Sequence, residues 1–260
     1  MKTAFVTYMG NNRYLYGVLA LYQSLKEHKN ERQLVVLVGP AVTSQVIGYL
    51  KEKPVILKMV DEIGNPNREV ENDTRGVKFM YSKIRVFELF EYDKIVYLDA
   101  DMVVCENVED LFDKPHMSAV IAGKLLRWDW RDFNSGLMVI EPEPSTFANM
   151  LATITVLPSC DGTDQGFLNS FYPHWKREES LHLEHRFNLP ASWLEHYCKS
   201  YDFEFEYREE GLHAKNVSVI HYIGPNKPWD HDAAELGKLK TMDRYQQSVA
   251  LWWDYFHRSV

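Results

Sequence analysis

The chain has 260 residues, 45% of them apolar and 13% aromatic, and a formal net charge of −8. This apolar content can form a sizeable core. Acidic and basic residues are interspersed, which excludes a sequence-independent nucleic-acid binder and a polybasic membrane anchor. We expect no nucleic-acid partner and at most a peripheral contact with a membrane.

The N-terminus and the cysteines indicate the compartment. Met1-Lys2-Thr3 leads directly into a strand pattern, without a signal peptide, and no apolar run approaches membrane-spanning length. Cys105, Cys160 and Cys198 are an odd number without C-x-x-C spacing, which is typical of a reducing compartment. We therefore expect a cytoplasmic protein.

Apolar runs alternate with helical patterns along the chain. We predict strands over 4–8, 34–38, 55–60, 94–98, 118–122, 134–140 and 217–222. We predict helices over 14–26, 43–52, 79–90 and 144–156, and another that begins near 161–165. This alternation predicts an α/β fold in which helices flank a mostly parallel central sheet.

Near the C-terminus, apolar residues recur at spacings of three and four, as in an amphipathic helix. They are Met242, Tyr245, Val249, Trp252 and Phe256. We expect one domain over 1–230 and a helical extension over 231–260 that packs on it. Membrane docking and self-association of this helix are the alternatives, and the second leaves a homodimer open.

Two aspartates follow the fourth predicted strand. Lys94–Leu98 reads as a buried strand, and Asp99 and Asp101, at i and i+2 of an extended segment, point the same way. Such carboxylates suit a divalent metal that also carries a phosphorylated substrate. The alternative is a turn with two solvated aspartates.

His221 lies near the C-terminal end of the last predicted strand, 217–222. Because parallel strand ends share one edge of a sheet, His221 would meet Asp99 and Asp101 there. Two carboxylates and an imidazole favour Mn²⁺ over Mg²⁺, since nitrogen is the softer ligand. A histidine with one ordinary hydrogen bond is the alternative.

Three further segments carry candidate groups, each with a plainer alternative. The segment 161–165 offers donors and acceptors for a polyhydroxyl ligand, or simply a turn and a helix cap. Asn134 presents an amide to the same ligand, or forms a tight bend. Lys227 follows Gly224-Pro225-Asn226 and would neutralise a phosphate, or is a solvated lysine.

Several motifs in one register together resemble the glycogenin-like and galactinol-synthase-like members of glycosyltransferase family eight. They are Ala4-Phe5-Val6-Thr7, Tyr81-Ser82-Lys83, Asp99-Ala100-Asp101, Phe133-Asn134-Ser135-Gly136, Asp161-Gly162-Thr163-Asp164-Gln165-Gly166, Phe187-Asn188-Leu189, His221-Tyr222-Ile223-Gly224 and Lys227-Pro228-Trp229. Trp252-Trp253-Asp254 is similar to the tail of galactinol synthases.

The resemblance implies a single Rossmann-like GT-A domain, a UDP-sugar donor, Mn²⁺ and retention of the anomeric configuration. It implies Asp99, Asp101 and His221 as metal ligands. It further implies catalytic roles for Asp164, Gln165 and Lys227, and contacts to the donor from Thr7, Asn11, Tyr14, Lys83, Ala100, Asn134, Ser135, Asp161 and Gly224.

The expected function is transfer of a hexosyl group, glucose or galactose, to a hydroxyl of a carbohydrate, polyol or glycoconjugate. The alternatives are a sugar-nucleotide hydrolase or nucleotidyltransferase, and a non-catalytic sugar-nucleotide-binding module. The sequence departs from the glycogenin pattern at Glu195, where that family has its self-glucosylated tyrosine, although Tyr197 lies close by. It also departs over 124–132, where we expect the donor or acceptor sugar to be selected.

Overall fold

Residues 1–66, 77–123, 129–231 and 239–260 are described by a computed structural model, which also leaves the side chains of 77–79 undescribed. The chain divides into two units whose sequences interleave. Unit 1 comprises Met1–Asn12, Arg32–Leu98 and Leu111–Leu183, and unit 2 comprises Arg13–Glu31, Asp99–Asp110 and Glu184–Val260.

The strands, in chain order, are β1 (Thr3–Asn11), β2 (Leu34–Ala41), β3 (Ile56–Met59), β4 (Lys94–Leu98), β5 (Met102–Val104), β6 (Ala119–Ile121), β7 (Phe133–Ile140), β8 (His182–Leu183), β9 (Leu189–Pro190), β10 (Glu204–Arg208), β11 (Gly211–Lys215) and β12 (Val219–His221). The α-helices are α1 (Leu15–Glu27), α2 (Ser44–Lys51), α3 (Pro144–Thr153), α4 (Asp164–Phe171), α5 (Leu194–Ser200) and α6 (Arg244–Ser259).

Unit 1 contains a seven-stranded sheet with the order β3-β2-β1-β4-β7-β6-β8. The strands β3, β2, β1 and β4 are parallel, whereas β7 is antiparallel to both β4 and β6. All five residues of β4 are buried, as expected for a strand covered on both faces. The predicted α/β fold with a mostly parallel sheet is confirmed.

The segment 79–90 differs from its prediction as an α-helix. Val77–Glu88 forms 3-10 turns. With three residues per turn, Tyr81, Ile84 and Phe87 fall on one face, and all three are buried in the core of unit 1. The apolar spacing was therefore read with the wrong period.

Unit 2 holds a second correction. The predicted strand 217–222 does not join the parallel sheet. Instead, β12 lies in a separate three-stranded sheet, antiparallel to β5 and parallel to β9. The short strands β5 and β9 escape sequence analysis because two or three residues give no periodicity to detect.

The amphipathic pattern near the C-terminus corresponds to α6. Asp243 caps this helix by accepting a hydrogen bond from Gln246 N. Trp252 is fully buried, and Tyr255 Oη lies 2.8 Å from His28 Nε2 next to α1. Within the described ranges, no helix has both the length and the apolar character needed to cross a membrane.

Candidate active site

Asp99 and Asp101 stand in the turn between β4 and β5, and the sheet of unit 2 brings His221 to them. In the antiparallel pair β5–β12, His221 lies opposite Met102, the residue after Asp101. Tyr222 N also donates a hydrogen bond of 3.0 Å to Asp101 O. The predicted convergence of these three residues is therefore present.

The structural reason for this convergence is not the one that the sequence suggested. We expected parallel strands to end at a common edge, but β12 runs antiparallel to β5. A strand of three residues is too short for its partner to be read from sequence.

The three side chains offer ligand atoms that all lie within 4.8 Å of one another. His221 Nε2 is 3.3 Å from Asp101 Oδ1 and 3.7 Å from Asp99 Oδ2. Atoms that ligate one small divalent ion at about 2.1 Å lie no more than about 4.2 Å apart. These two separations and the mixed oxygen and nitrogen donor set therefore fit such an ion.

Lys227 belongs to the same cluster. The sequence allowed two interpretations of this residue, a group that neutralises a phosphate or a solvated lysine. Its side chain is 8% exposed. Its ammonium donates to Asp101 Oδ2 and, over 2.8 Å, to the carbonyl oxygen of Tyr222. Lys227 is therefore a buried partner of Asp101, and the solvated alternative is wrong. We call Asp99, Asp101, His221 and Lys227 the acidic cluster.

Charges set the protonation of this cluster. Burial alone would raise the pKa of Asp101, but the ammonium of Lys227 and, after it, the neighbouring His221 outweigh burial and hold that pKa well below its usual range. Burial, followed by the charges of Asp101 and Asp99, raises the pKa of Tyr14. Asp101 is therefore ionised and Tyr14 is a neutral phenol at neutral pH.

Ala100 lies between the two aspartates and is packed against α1. A Cβ atom at Gly17 would lie 2.1 Å from Ala100 O and 2.9 Å from Trp229 Cζ3. Glycine at position 17 thus permits this close approach of α1 to the aspartate turn. The ring of Tyr14 packs edge-to-face on Trp229, with centroids 5.7 Å apart.

A second buried polar cluster lies in unit 1. Lys83 Nζ is 3.0 Å from Asp164 Oδ2 and 3.0 Å from Ser135 Oγ, while Ser135 Oγ donates to Asp164 Oδ2 over 2.8 Å. Gln165 Oε1 accepts a hydrogen bond of 3.2 Å from Ser135 N. We call these four residues the lysine cluster. The structure thus brings together two of the predicted catalytic residues, Asp164 and Gln165, and two of the predicted donor contacts, Lys83 and Ser135.

Asp161 and Asn134 mainly support local backbone. Asp161 is exposed, and its Oδ1 accepts from Thr163 N, Thr163 Oγ1 and Gly166 N at the start of α4. Asn134 Oδ1 accepts from Gly136 N over 2.8 Å. These contacts match the turn and bend that we gave as alternatives.

The remaining predicted donor contacts are divided between the two units, with Thr7 and Asn11 in unit 1 and Gly224 in unit 2. Thr7 is buried in β1, and its Oγ1 has no hydrogen-bond partner among the described residues. Asn11 is the last residue of β1. Gly224 is exposed with a φ of +107°, a conformation that favours glycine. Of the loop 124–132, residues 124–128, including Trp128, lie outside the described part of the chain.

Asn188 received no role of its own from the sequence. It is 4% exposed, and its Oδ1 lies 2.9 Å from His221 Nδ1. Gly17 was likewise missed. A glycine within a helical pattern could have drawn attention to Gly17, whereas the pairing that brings Asn188 to His221 involves a two-residue strand.

The fold is that of the GT-A glycosyltransferases. Glycosyltransferase GlyE from Streptococcus pneumoniae superposes with a TM-score of 0.63 at 19% identity, covering 98% of this chain and 61% of GlyE. Galactosyltransferase LgtC, solved with donor and acceptor sugar analogs, gives 0.62 at 15% identity and covers 95% of each chain.

The sequence identifies the family to which the chain belongs within this fold class. The model of glycosyl transferase family 8 matches residues 5–233, so the chain belongs to this family and is a glycosyltransferase. Mouse glycogenin-1 is 30% identical over 267 residues, which cover 99% of this chain and 76% of glycogenin-1. Inositol phosphorylceramide glucuronosyltransferase 1 from Arabidopsis thaliana is 32% identical over 251 residues, which cover 91% of this chain and 44% of that enzyme.

Proposed function

We propose that this protein transfers a hexosyl group from a UDP-sugar to a hydroxyl of an acceptor, with Mn²⁺ and with retention at the anomeric carbon. Membership of family 8 supports sugar transfer. A relative named as a glucuronosyltransferase and a structural neighbour named as a galactosyltransferase support a hexose-type donor.

The observation that carries the proposal is the acidic cluster. Asp99, Asp101 and His221 place two carboxylate oxygens and an imidazole nitrogen around one position. A bound Mn²⁺ would supply positive charge that stabilises the leaving diphosphate. Asp101 is held ionised by its neighbours, which keeps it competent as a ligand at neutral pH.

Lys227 would give the diphosphate a second positive charge. Its ammonium is already buried beside Asp101, where water screens it little. A preformed charge of this kind costs no reorganisation when the bond to the sugar breaks. In unit 1, we propose that Asp164 and Gln165 contact the donor sugar, since their side chains are ordered by Lys83 and Ser135.

Retention fits attack on the same face as the leaving group. The two carboxylates of the acidic cluster are engaged as metal ligands in our proposal, and Asp164 is paired with Lys83. None of these three carboxylates therefore suits a covalent nucleophile, so we propose that the acceptor hydroxyl attacks beside the departing diphosphate.

The acceptor would be a separate molecule and not a tyrosine at or beside the position that glycogenin modifies. By the resemblance to glycogenin, Glu195 falls at that position, and it pairs with Arg244 over 2.8 Å. Tyr197 is only 4% exposed, and its hydroxyl lies 3.2 Å from His185 Nδ1. A carbohydrate, polyol or glycoconjugate then accepts the sugar.

The test is a donor panel with and without an acceptor alcohol. Metal-stripped protein would be incubated with Mn²⁺ and UDP-glucose, UDP-galactose, UDP-N-acetylglucosamine or UDP-glucuronate, and products would be followed by NMR. We expect one donor to be favoured and an α-linked product from an α-linked donor. UDP release at the same rate with or without any acceptor would indicate a hydrolase, UMP release a different bond cleavage, and tight UDP binding without turnover a binding module.

A further inference from the structure

We propose that Asn188 positions His221 for metal binding by holding its imidazole in the tautomer whose Nε2 lone pair faces Asp99 and Asp101. This inference rests on the proposed metal site and assigns a function to a residue outside the ligand set. Two observations support it: the contact between Asn188 and the other ring nitrogen of His221, and the backbone pairing on both sides of Asn188.

The contact itself fixes the direction of the hydrogen bond. Asn188 Oδ1 lies 2.9 Å from His221 Nδ1. A carbonyl oxygen only accepts, so the proton must be on Nδ1. A neutral imidazole carries one proton, and Nε2 then keeps its lone pair. Nε2 is the nitrogen that lies 3.3 Å from Asp101 Oδ1, on the side of the carboxylates.

The position of Asn188 is set by backbone pairing. The next residue, Leu189, begins β9, which is parallel to β12 with Leu189 opposite Ile220 and Pro190 opposite His221. On the other side, Ser218 N donates to Arg186 O over 2.9 Å. The chain is thus tied to β12 both before and after Asn188. A group held by such elements can restrict a ring more precisely than a loop residue can.

Burial makes the contact between Asn188 and His221 energetically important. Asn188 and the His221 side chain are 4% and 6% exposed, so little water can replace the amide oxygen if it is removed. An unpaired buried Nδ1–H would favour the other tautomer, whose Nε2–H cannot bind a metal. Partners of this kind typically contribute 10- to 100-fold in metal affinity.

The principal experiment measures Mn²⁺ binding to the complete, metal-stripped chain by EPR, without any donor. Asn188→Leu removes the acceptor at similar size and should weaken Mn²⁺ binding about 10- to 100-fold. Asn188→Asp keeps an acceptor and should retain the affinity. Combined with His221→Ala, Asn188→Leu should add no further loss, since it acts through the imidazole.

Asn30→Leu is the matched control. Asn30 is another buried asparagine of unit 2, bonded to Leu25 O and Val108 N and not to the acidic cluster. This variant should lower the melting temperature and leave Mn²⁺ affinity unchanged. Equal Mn²⁺ affinity in Asn188→Leu and the wild type would overturn the inference about Asn188 alone. Absence of Asp101-dependent Mn²⁺ binding in the wild type would overturn the metal site, and this inference with it.

A second measurement needs no variant and covers the case in which Asn188→Leu fails to fold. Long-range ¹H–¹⁵N NMR of the wild type, at a pH where the ring of His221 is neutral, should show the Nδ1–H tautomer. A spectrum of the Nε2–H tautomer would contradict the inference.

Discussion

The acidic cluster of unit 2 and the lysine cluster of unit 1 are both polar and largely buried, but their charged groups are arranged differently. In the lysine cluster, one ammonium faces one carboxylate, with Ser135 Oγ bonded to both. In the acidic cluster, the ammonium of Lys227 pairs with Asp101, while a second carboxylate, that of Asp99, and the imidazole of His221 offer further ligand atoms close to Asp101.

This difference indicates which cluster should take up a cation. Two carboxylate oxygens and an imidazole nitrogen close together are a suitable donor set for a divalent ion, whereas the lysine cluster places its carboxylate against an ammonium, which repels a cation. Asp99 is also the more accessible carboxylate, since its side chain is 25% exposed against 9% for Asp101. We therefore expect metal binding to depend on the acidic cluster and to be indifferent to the lysine cluster.

Asp101→Ala should have the largest effect. It removes a metal ligand and leaves the buried Lys227 without its carboxylate, so Mn²⁺ binding should be lost and stability should fall by about 3–5 kcal/mol. Urea unfolding and Mn²⁺ titration measure the two losses. Adding Lys227→Met should restore most of the stability but not the metal binding, and a double variant as unstable as Asp101→Ala would contradict the ion pair.

Asp164→Ala is the corresponding change in the lysine cluster. Lys83 would lose its buried partner, so stability should again fall by about 3–5 kcal/mol, and Lys83→Met should compensate. Mn²⁺ affinity, measured in the same way, should stay within twofold of the wild type. A loss of Mn²⁺ affinity comparable to that in Asp101→Ala would remove the distinction between the clusters.

Gln165→Ala should affect turnover more than stability. Its side chain accepts one hydrogen bond from Ser135 N, and losing such a bond costs about 1 kcal/mol. If the amide contacts the sugar in the transition state, kcat should fall on the order of 10²-fold. Affinity for UDP should hardly change, because UDP lacks the sugar. A parental kcat would exclude Gln165 from catalysis.

A smaller effect is expected in the pH dependence of stability, when the wild type is compared with the double variant Asp101→Ala/Lys227→Met. The pKa of Asp101 is lowered in the folded, metal-free protein, so its contribution to stability is present above the unfolded pKa of about 3.9 and is lost as the pH falls below that value. The free energy of unfolding, measured in urea at pH 6 and at pH 3, should therefore fall more between these pH values in the wild type than in the double variant. Equal losses would mean that Asp101 is not held ionised by its neighbours.

Long apolar runs made the sheet of unit 1 predictable. The strand 94–98 was placed correctly because five consecutive buried residues leave no alternative period, and β4 has the predicted bounds. The segment after Asn134 was found as a strand, but not its antiparallel direction, because direction depends on the partner strand β4. A single sequence carries no signal for such pairing.

The acidic cluster shows the same limit. Residue types and spacing were enough to select Asp99, Asp101 and His221, yet the pairing of β5 with β12 was not foreseen. The contact of Lys227 with Asp101 joins residues far apart in sequence, and that of Asn188 with His221 depends on the two-residue strand β9. Residue types and spacing therefore predicted which side chains form the site, but not which residue each of them contacts.

The most direct test of the central claim is UDP release by the metal-stripped protein before and after Mn²⁺ is added. The donor is the one preferred in the panel, and the acceptor alcohol of that panel is present throughout. Asp254→Asn is the control for charge, because Asp254 is a partly exposed carboxylate that pairs with Arg258 on α6. We predict no UDP release in excess chelator, recovery with Mn²⁺ in the wild type and in Asp254→Asn, and no recovery in Asp101→Ala. Full activity in chelator, or recovery in Asp101→Ala, would contradict the assignment of the acidic cluster as the metal site of this glycosyltransferase.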